Sequence, residues 1–186
     1  KKEENFVINA RKFAVDALLK INESGGFSNI VLGNISAAGD IEPKDISFIS
    51  SLVYGVLERK ITLDYIIEKQ TERKSSKLHP FVAEVLRIGI YQLLYMDKVP
   101  ESAAVNESVK LIKKSKQSFA SGFVNAVLRG VIRNKTNLIP NGNDENSLSI
   151  RYSCPLWLVQ ELVSDYGVTR TEEFLRDSLN VPPIYI

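Results

Sequence analysis

FVAEVLRIGIYQLLYM, residues 81–96, is apolar around most of its circumference when wound at 100° per residue. Val82, Val85, Leu86, Gly89, Ile90, Leu93 and Leu94 recur at helical spacing and leave little room for a polar face. A helix of that kind belongs inside other helices rather than on a surface. Pro80 suits its first turn, where the missing N–H has no intrahelical partner to lose. His79 then reads as a residue at the helix start. These residues predict a central helix with the rest of the chain wrapped around it.

Working outward, the period stays helical. In NFVINARKFAVDALLKI, Phe6, Ala10, Phe13, Ala17 and Ile21 share one face and Asn9, Lys12, Asp16 and Lys20 the other. SGG at 24–26 offers residues that tolerate a helix end. A short helix is expected from Asn29 to Ala37. Pro43 opens a longer one through Arg59, with Ile46, Ile49, Val53 and Leu57 inward. Thr62 is expected to cap LDYIIEKQ, and Ser102 to cap AAVNESVKLIKK after the break at Pro100. Ser118 opens the helix holding SGFVNAVLRGVIRN, residues 121–134. No period-2 run with β-branched enrichment appears before residue 180, so the fold class is all-α, a bundle of roughly seven helices.

KTNLIPNGNDENS is rich in Asn, Gly and Pro and marks a boundary. It divides the chain into a helical domain, 1–135, a linker, 136–147, and the start of a further subdomain, 148–186. In that last segment a helix runs from Pro155 to Tyr166 and stops at Gly167. Thr169 with Glu172 has the spacing of a capping box for EEFLRDSL. After NVPP a strand begins at Ile184, and a strand without a partner implies that the natural chain continues.

The composition removes several functions. Cys154 is the only cysteine and His79 the only histidine of 186 residues. No internal disulfide is possible, which suits a reducing cytoplasm, and no zinc site of the usual Cys/His type can be assembled, so no metal is expected. No run of apolar residues is long enough to cross a membrane. The N-terminus lacks the apolar core of a signal peptide. No GxGxxG follows a strand, so no loop for a dinucleotide or S-adenosylmethionine is visible, and no cofactor is expected within these residues. The carboxylates are scattered, without an acid/base pair. Cys154 stands before a proline at a helix start with no general base in view, so no catalytic residue is assigned.

Net charge is +2, but its distribution is uneven. Residues 101–135 hold seven Lys and Arg against two Glu, net +5, whereas 136–186 hold three basic against seven acidic residues, net −4. A basic segment of this kind is the footprint of a nucleic-acid surface. Within it, KLIKKSK puts Lys110, Lys113 and Lys114 on one face, which serves either as a solvated face or as a phosphate contact. No aromatic lies in that run to stack on a base. On 121–134, Val124, Val127, Leu128 and Val131 make the core stripe. Gly122, Ala126 and Gly130 make a line of small residues open to close approach. Asn125, Arg129 and Arg133 make a polar line. The arginines can grip phosphate through their planar forks, or Arg129 pairs with a carboxylate while Asn125 bonds a neighbouring loop. Arg11 and Lys12 form a third basic group.

FISSLVYGVLERKITLDYII, LHPFVAEVLRIGIYQLLYMDKVPESAAVNESVKLIKK and SGFVNAVLRGVIRN together resemble the NusB-like N-terminal region of bacterial 16S rRNA cytosine-C5 methyltransferases of the Sun/RsmB/Fmu type. RYSCPLWLVQELVSDYG and NVPPIYI resemble the segment that follows in those enzymes. The resemblance implies a NusB-like helical bundle that binds or docks RNA, followed by the helical start of an α/β subdomain. It implies a 16S-type rRNA and the chain's own downstream methyltransferase domain as partners, and a cytoplasmic location. It places methyl transfer downstream, in a Rossmann-like domain that uses S-adenosylmethionine and two cysteines. Cys154 matches neither cysteine motif. On this reading Arg11, Lys12, Lys113, Lys114, Arg129 and Arg133 are the candidate RNA contacts, as electrostatic holds rather than base readers. The rivals are a protein-interaction module using Gly122, Ala126 and Gly130, and a NusB-like transcription antitermination factor.

Overall fold

Residues 81–96 do form the hub of the molecule. The computed structural model describes residues 9–24, 33 and 41–179. Among them are eight α-helices and no strand: α1 Ala10–Ser24, α2 Pro43–Glu58, α3 Lys60–Thr71, α4 Pro80–Tyr95, α5 Glu101–Lys113, α6 Ser121–Arg133, α7 Glu145–Tyr152 and α8 Leu156–Ser178. The all-α class read from the sequence is what the chain adopts. Apart from Gly33, the expected helix at 29–37 lies outside the described residues, as do the Phe6 contribution to α1 and the strand at Ile184.

Helix α4 touches α1, α2, α3, α5 and α6. Val82, Val85, Leu86, Ile90 and Leu93 are buried, as its pattern requires, and Leu94 is half-buried. His79 caps it, its Nδ1 accepting the Phe81 N–H at 3.2 Å. Around this hub the apolar stripes turn slightly from their expected places. On α2, Ile49 and Val53 are buried, but Leu52 and Val56 join them while Ile46 and Leu57 sit at the margin. The cause is that α2 is covered by both α1 and α4. On α6, Val124, Val127, Leu128 and Val131 are buried as expected.

Two expected caps are displaced. Thr62 lies inside α3 rather than before it; its hydroxyl donates to the Ile150 carbonyl at 2.5 Å, fully buried. Ser102 falls in the first turn of α5, because Pro100 takes the N-cap position. Ser118 opens a 3-10 turn, Ser118–Ala120, that runs directly into α6.

The segment 136–147 is tied down at several points. Leu138 is 1% exposed within the bundle core. Lys69 Nζ donates to the Asn137 carbonyl at 2.6 Å. Asp144 then caps α7, accepting from the Ser147 N–H at 3.0 Å. The sequence reading did not anticipate this eight-residue helix. Helix α7 packs on α3 and on α8, and a second small core of Leu148, Cys154, Val159 and Leu175 gathers there.

Helix α8 is two arms joined at Gly167, whose φ of 78° and ψ of 162° are open to glycine and strained for other residues. The stop expected there is real, but the chain resumes helix at once. The capping box of Thr169 and Glu172 does not stand. Glu172 Oε1 instead accepts from Arg151 Nη1 and from the Tyr152 hydroxyl, each at 2.9 Å.

Candidate nucleic-acid interface

The N-terminal end of α1 and the C-terminal half of α5 enclose, with α2, a cleft of ≈ 440 Å³. Asn9, Arg11, Asp45, Phe48, Glu107, Lys110 and Lys114 line it. Arg11 is held from two sides. Its Nε donates to Gln92 Oε1 at 2.8 Å, and its guanidinium lies 5.1 Å from the centre of the Phe48 ring. Burial lowers its pKa, opposed by the Glu107 charge, yet a guanidinium keeps its proton in any case. The result is a fixed positive charge at the base of the cleft, with Lys114 at its rim. Lys110 is engaged by Glu107 at 2.6 Å.

The six candidate residues do not converge on one patch. Arg11 and Lys114 share the cleft, and Lys113 is exposed beside Lys114 on the same turn. Lys12 points elsewhere and pairs with Asp16 at 2.6 Å. Arg129 and Arg133 lie on α6, whose end is brought to the start of α5 by the Lys135–Glu101 pair at 3.3 Å. At 1.5 Å per residue, the far end of α5 that carries Lys113 lies about 18 Å from there. The exposed charges therefore form two groups, one at each end of the α5–α6 hairpin.

Two of the three residues in the polar line on α6 satisfy each other. Arg129 Nε donates to Asn125 Oδ1 at 3.1 Å, one turn back, so neither a loop nor a carboxylate is involved. The line of small residues does not receive a neighbouring backbone. Gly122 and Ala126 are exposed, and a Cβ on Gly122 would meet nothing within 4 Å. At Gly130 a Cβ would lie 2.6 Å from Gln70 Oε1, so close approach there is by a side chain of α3. The sequence reading missed Asn9 and Phe48, which line the cleft, and Phe119. The first two sit in ordinary helix contexts, and Phe119 lies just outside the lysine run.

The most deeply buried charges serve the fold. Arg87 bridges Glu84 Oε1 and Asp64 Oδ1, the latter at 2.7 Å, and Asn22 Nδ2 donates to the same Glu84 oxygen at 2.9 Å. Burial pushes the Glu84 carboxyl up from its ordinary range, against the pull of Arg87. The thiol of Cys154 is also pushed up by burial, which disfavours the reactive thiolate. Among the described residues no three His, Cys, Asp or Glu side chains gather where they could hold a metal ion. No described helix is long and apolar enough to cross a membrane.

The helical bundle with its α5–α6 hairpin defines a class. The chain belongs to the NusB family, whose sequence pattern matches residues 8–133. Two kinds of relative share it. The chain is 32% identical over 176 residues to "Probable ribosomal RNA small subunit methyltransferase B" of Bacillus subtilis, covering 94% of this chain and 39% of that protein. It is 32% identical over 130 residues to "Transcription antitermination protein NusB" of a Nocardioides species, covering 69% of this chain and 95% of that protein. The chain thus spans about two fifths of the methyltransferase relative. Among solved structures, "Crystal Structure of PH0851" superposes with a TM-score of 0.69 at 16% identity, over 94% of this chain and 40% of that one. The solution structure of NusB from Aquifex aeolicus gives 0.56 at 23% identity, over 71% and 93%.

Proposed function

We propose that this chain is the RNA-docking region of an S-adenosylmethionine-dependent 16S rRNA cytosine-C5 methyltransferase, and that it carries no methyl-transfer chemistry itself. One observation carries the choice of parent. The likeness to the Bacillus subtilis methyltransferase extends past the bundle and takes in 94% of the chain, whereas the likeness to the Nocardioides antitermination protein takes in 69%. On this reading 1–135 is the docking domain, 136–147 the linker and 148–186 the start of the subdomain before the catalytic domain. The match of residues 8–133 to the NusB family favours, as the second reading, a domain that works as an antitermination factor does. Both readings give the bundle an RNA partner.

The electrostatic work falls to Arg11, Lys113 and Lys114, with Arg129 and Arg133 as a separate contact at the other end of the hairpin. Lys12, paired with Asp16, contributes least. Arg11 and the lysines would hold phosphates, releasing counterions and making affinity fall with salt, by about 0.7 in the logarithmic slope per phosphate of a single strand. The test is fluorescence anisotropy of the chain with a labelled 16S rRNA fragment across a salt series. Binding that weakens linearly on logarithmic axes is expected. The doublet Lys113→Ala with Lys114→Ala should lower the slope by about 1.4. No binding at low salt, or a slope indifferent to that doublet and to Arg129→Ala with Arg133→Ala, would sink the reading.

A further inference from the structure

Phe119 is 83% exposed, more than any other large hydrophobic residue described. It does not stand out because its turn is loose. Ala120 beside it is buried. The Ala120 N–H donates to the Gln117 carbonyl at 2.8 Å, and the Gln117 N–H donates to Ser115 Oγ at 3.1 Å. Ser115 Oγ in turn donates to the Ile112 carbonyl at 2.8 Å. The Gln117 side chain reaches His79 Nε2 at 3.1 Å. A turn braced at each step presents one aromatic ring to water.

The surroundings of that ring are cationic. Lys113, Lys114 and Lys116 precede it by six, five and three residues, and all three are exposed. None makes an ion pair with a described residue, in contrast to Lys12, Lys110 and Lys135, which do. No Asp or Glu occurs anywhere from 108 to 143. The other exposed aromatics are placed differently. Tyr54 lies on α2, one turn before Glu58, and Trp157, Tyr166 and Phe174 lie on α8, where five acidic residues stand against two arginines between 156 and 178. The net negative charge of α8 disfavours a polyanion. Among the described residues from 101 to 155, Phe119 is the one large hydrophobic side chain that is exposed. A lone ring among unpaired lysines suits a flat, π-rich group attached to phosphate.

We propose that Phe119 is a stacking platform for one unpaired base of single-stranded RNA, with Lys113 and Lys116 on the adjoining phosphates. This deepens the RNA-docking reading and rests on it. Stacking on an aromatic ring is indifferent to base identity, because every base has a π-face. The site would therefore select unpaired over paired RNA rather than one sequence over another.

The test uses the whole 186-residue chain and anisotropy with a labelled single-stranded oligoribonucleotide, and with the same strand annealed to its complement. Phe119→Ala should weaken single-strand binding by about 5- to 150-fold, the range found for one stacked base. It should leave the salt slope and duplex binding unchanged. Phe119→Leu should be as weak as Phe119→Ala, and Phe119→Trp should restore affinity. Lys113→Ala with Lys116→Ala should instead lower the slope. The side chain is exposed, so the variants keep the parent's thermal midpoint. Single-strand binding of Phe119→Ala within twofold of the parent overturns the proposal while leaving the docking reading intact. Full restoration by leucine also overturns it, since that marks an ordinary apolar contact such as a protein partner makes. Absence of any RNA binding by the parent chain at low salt removes both.

Discussion

Arg87 and Arg151 do the same job in two settings, and the difference separates the two regions of the molecule. Each gathers acceptors from distant segments. Arg87 does so inside the bundle, between Glu84 and Asp64, with its side chain 9% exposed and that of Glu84 3% exposed. Arg151 does so at a seam, donating to Glu172 Oε1 and to the Pro140 and Gly142 carbonyls. The bundle core draws on α1 to α6, so Arg87 is surrounded by packing that does not depend on it. The second core has only Leu148, Cys154, Val159 and Leu175 among the described residues. There the arginine supplies cohesion that apolar burial supplies elsewhere. A small cluster cannot remove enough apolar surface from water to hold two helices alone.

The largest effect should come from breaking the buried arrangement. Arg87→Ala leaves Glu84 without its charged partner in an apolar setting, and removal of one member of a buried pair costs about 3–5 kcal/mol. Urea denaturation should show the midpoint falling with no change in slope. Replacing Glu84 by Leu and Arg87 by Met together should recover much of that loss, since two well-packed apolar side chains need no partner. If the double variant is as unstable as Arg87→Ala, the pair contributes more than its own desolvation allows.

A smaller, local effect should follow at the joint of α8. Gly167→Ala forces a Cβ into a backbone region that only glycine adopts freely, at about 1–3 kcal/mol. Nothing lies within 4 Å of such a Cβ, so the cost is conformational and not steric. Hydrogen exchange should quicken across α8 and stay unchanged in α4. Equal quickening in α4 would mean that the two regions unfold together, and the contrast between them would be lost.

The same contrast explains what could be read from the sequence. Local signals were legible: Pro80 at the start of α4, Gly167 as a break, and the stripe Val124, Val127, Leu128 and Val131. Their physics is confined to one helix. Ser102 failed to a near neighbour, Pro100, but two other signals failed to a distant competitor. Thr62 has the chemistry of a cap, but the Ile150 carbonyl, 88 residues away, takes its hydroxyl. Glu172 has the spacing of a capping box, but Arg151 and Tyr152 claim it. Helix α7 is too short for its period to stand out, although Asp144 ahead of Ser147 was a usable cap signal. The basic character of the candidate interface was legible in KLIKKSK. Its division into two groups was not, because that follows from how α5 and α6 run alongside each other. Phe119 was least legible of all, since a phenylalanine in a helical segment ordinarily reads as core.

The smallest effect, and the one that sharpens the comparison furthest, is in the response to pH. Hydrogen bonding from Tyr152, with Arg151 and Arg176 nearby, holds the Glu172 carboxyl below its ordinary value. Its contribution to stability is therefore present above the unfolded pKa, about 4.3, and is lost as pH falls through the lower folded value. Glu84 has the opposite sign. Burial raises its folded pKa, so its contribution is present below about 4.3 and is lost as pH rises through the folded value. Thermal midpoints of the parent, Glu172→Gln and Glu84→Gln across the acid range separate the two. The parent's advantage over Glu172→Gln should shrink as pH falls, while its standing relative to Glu84→Gln should worsen as pH rises. Differences that move in the same direction with pH would mean that the seam carboxylate and the buried one experience the same environment, against the division of the molecule into a packed bundle and a charge-held pair of helices.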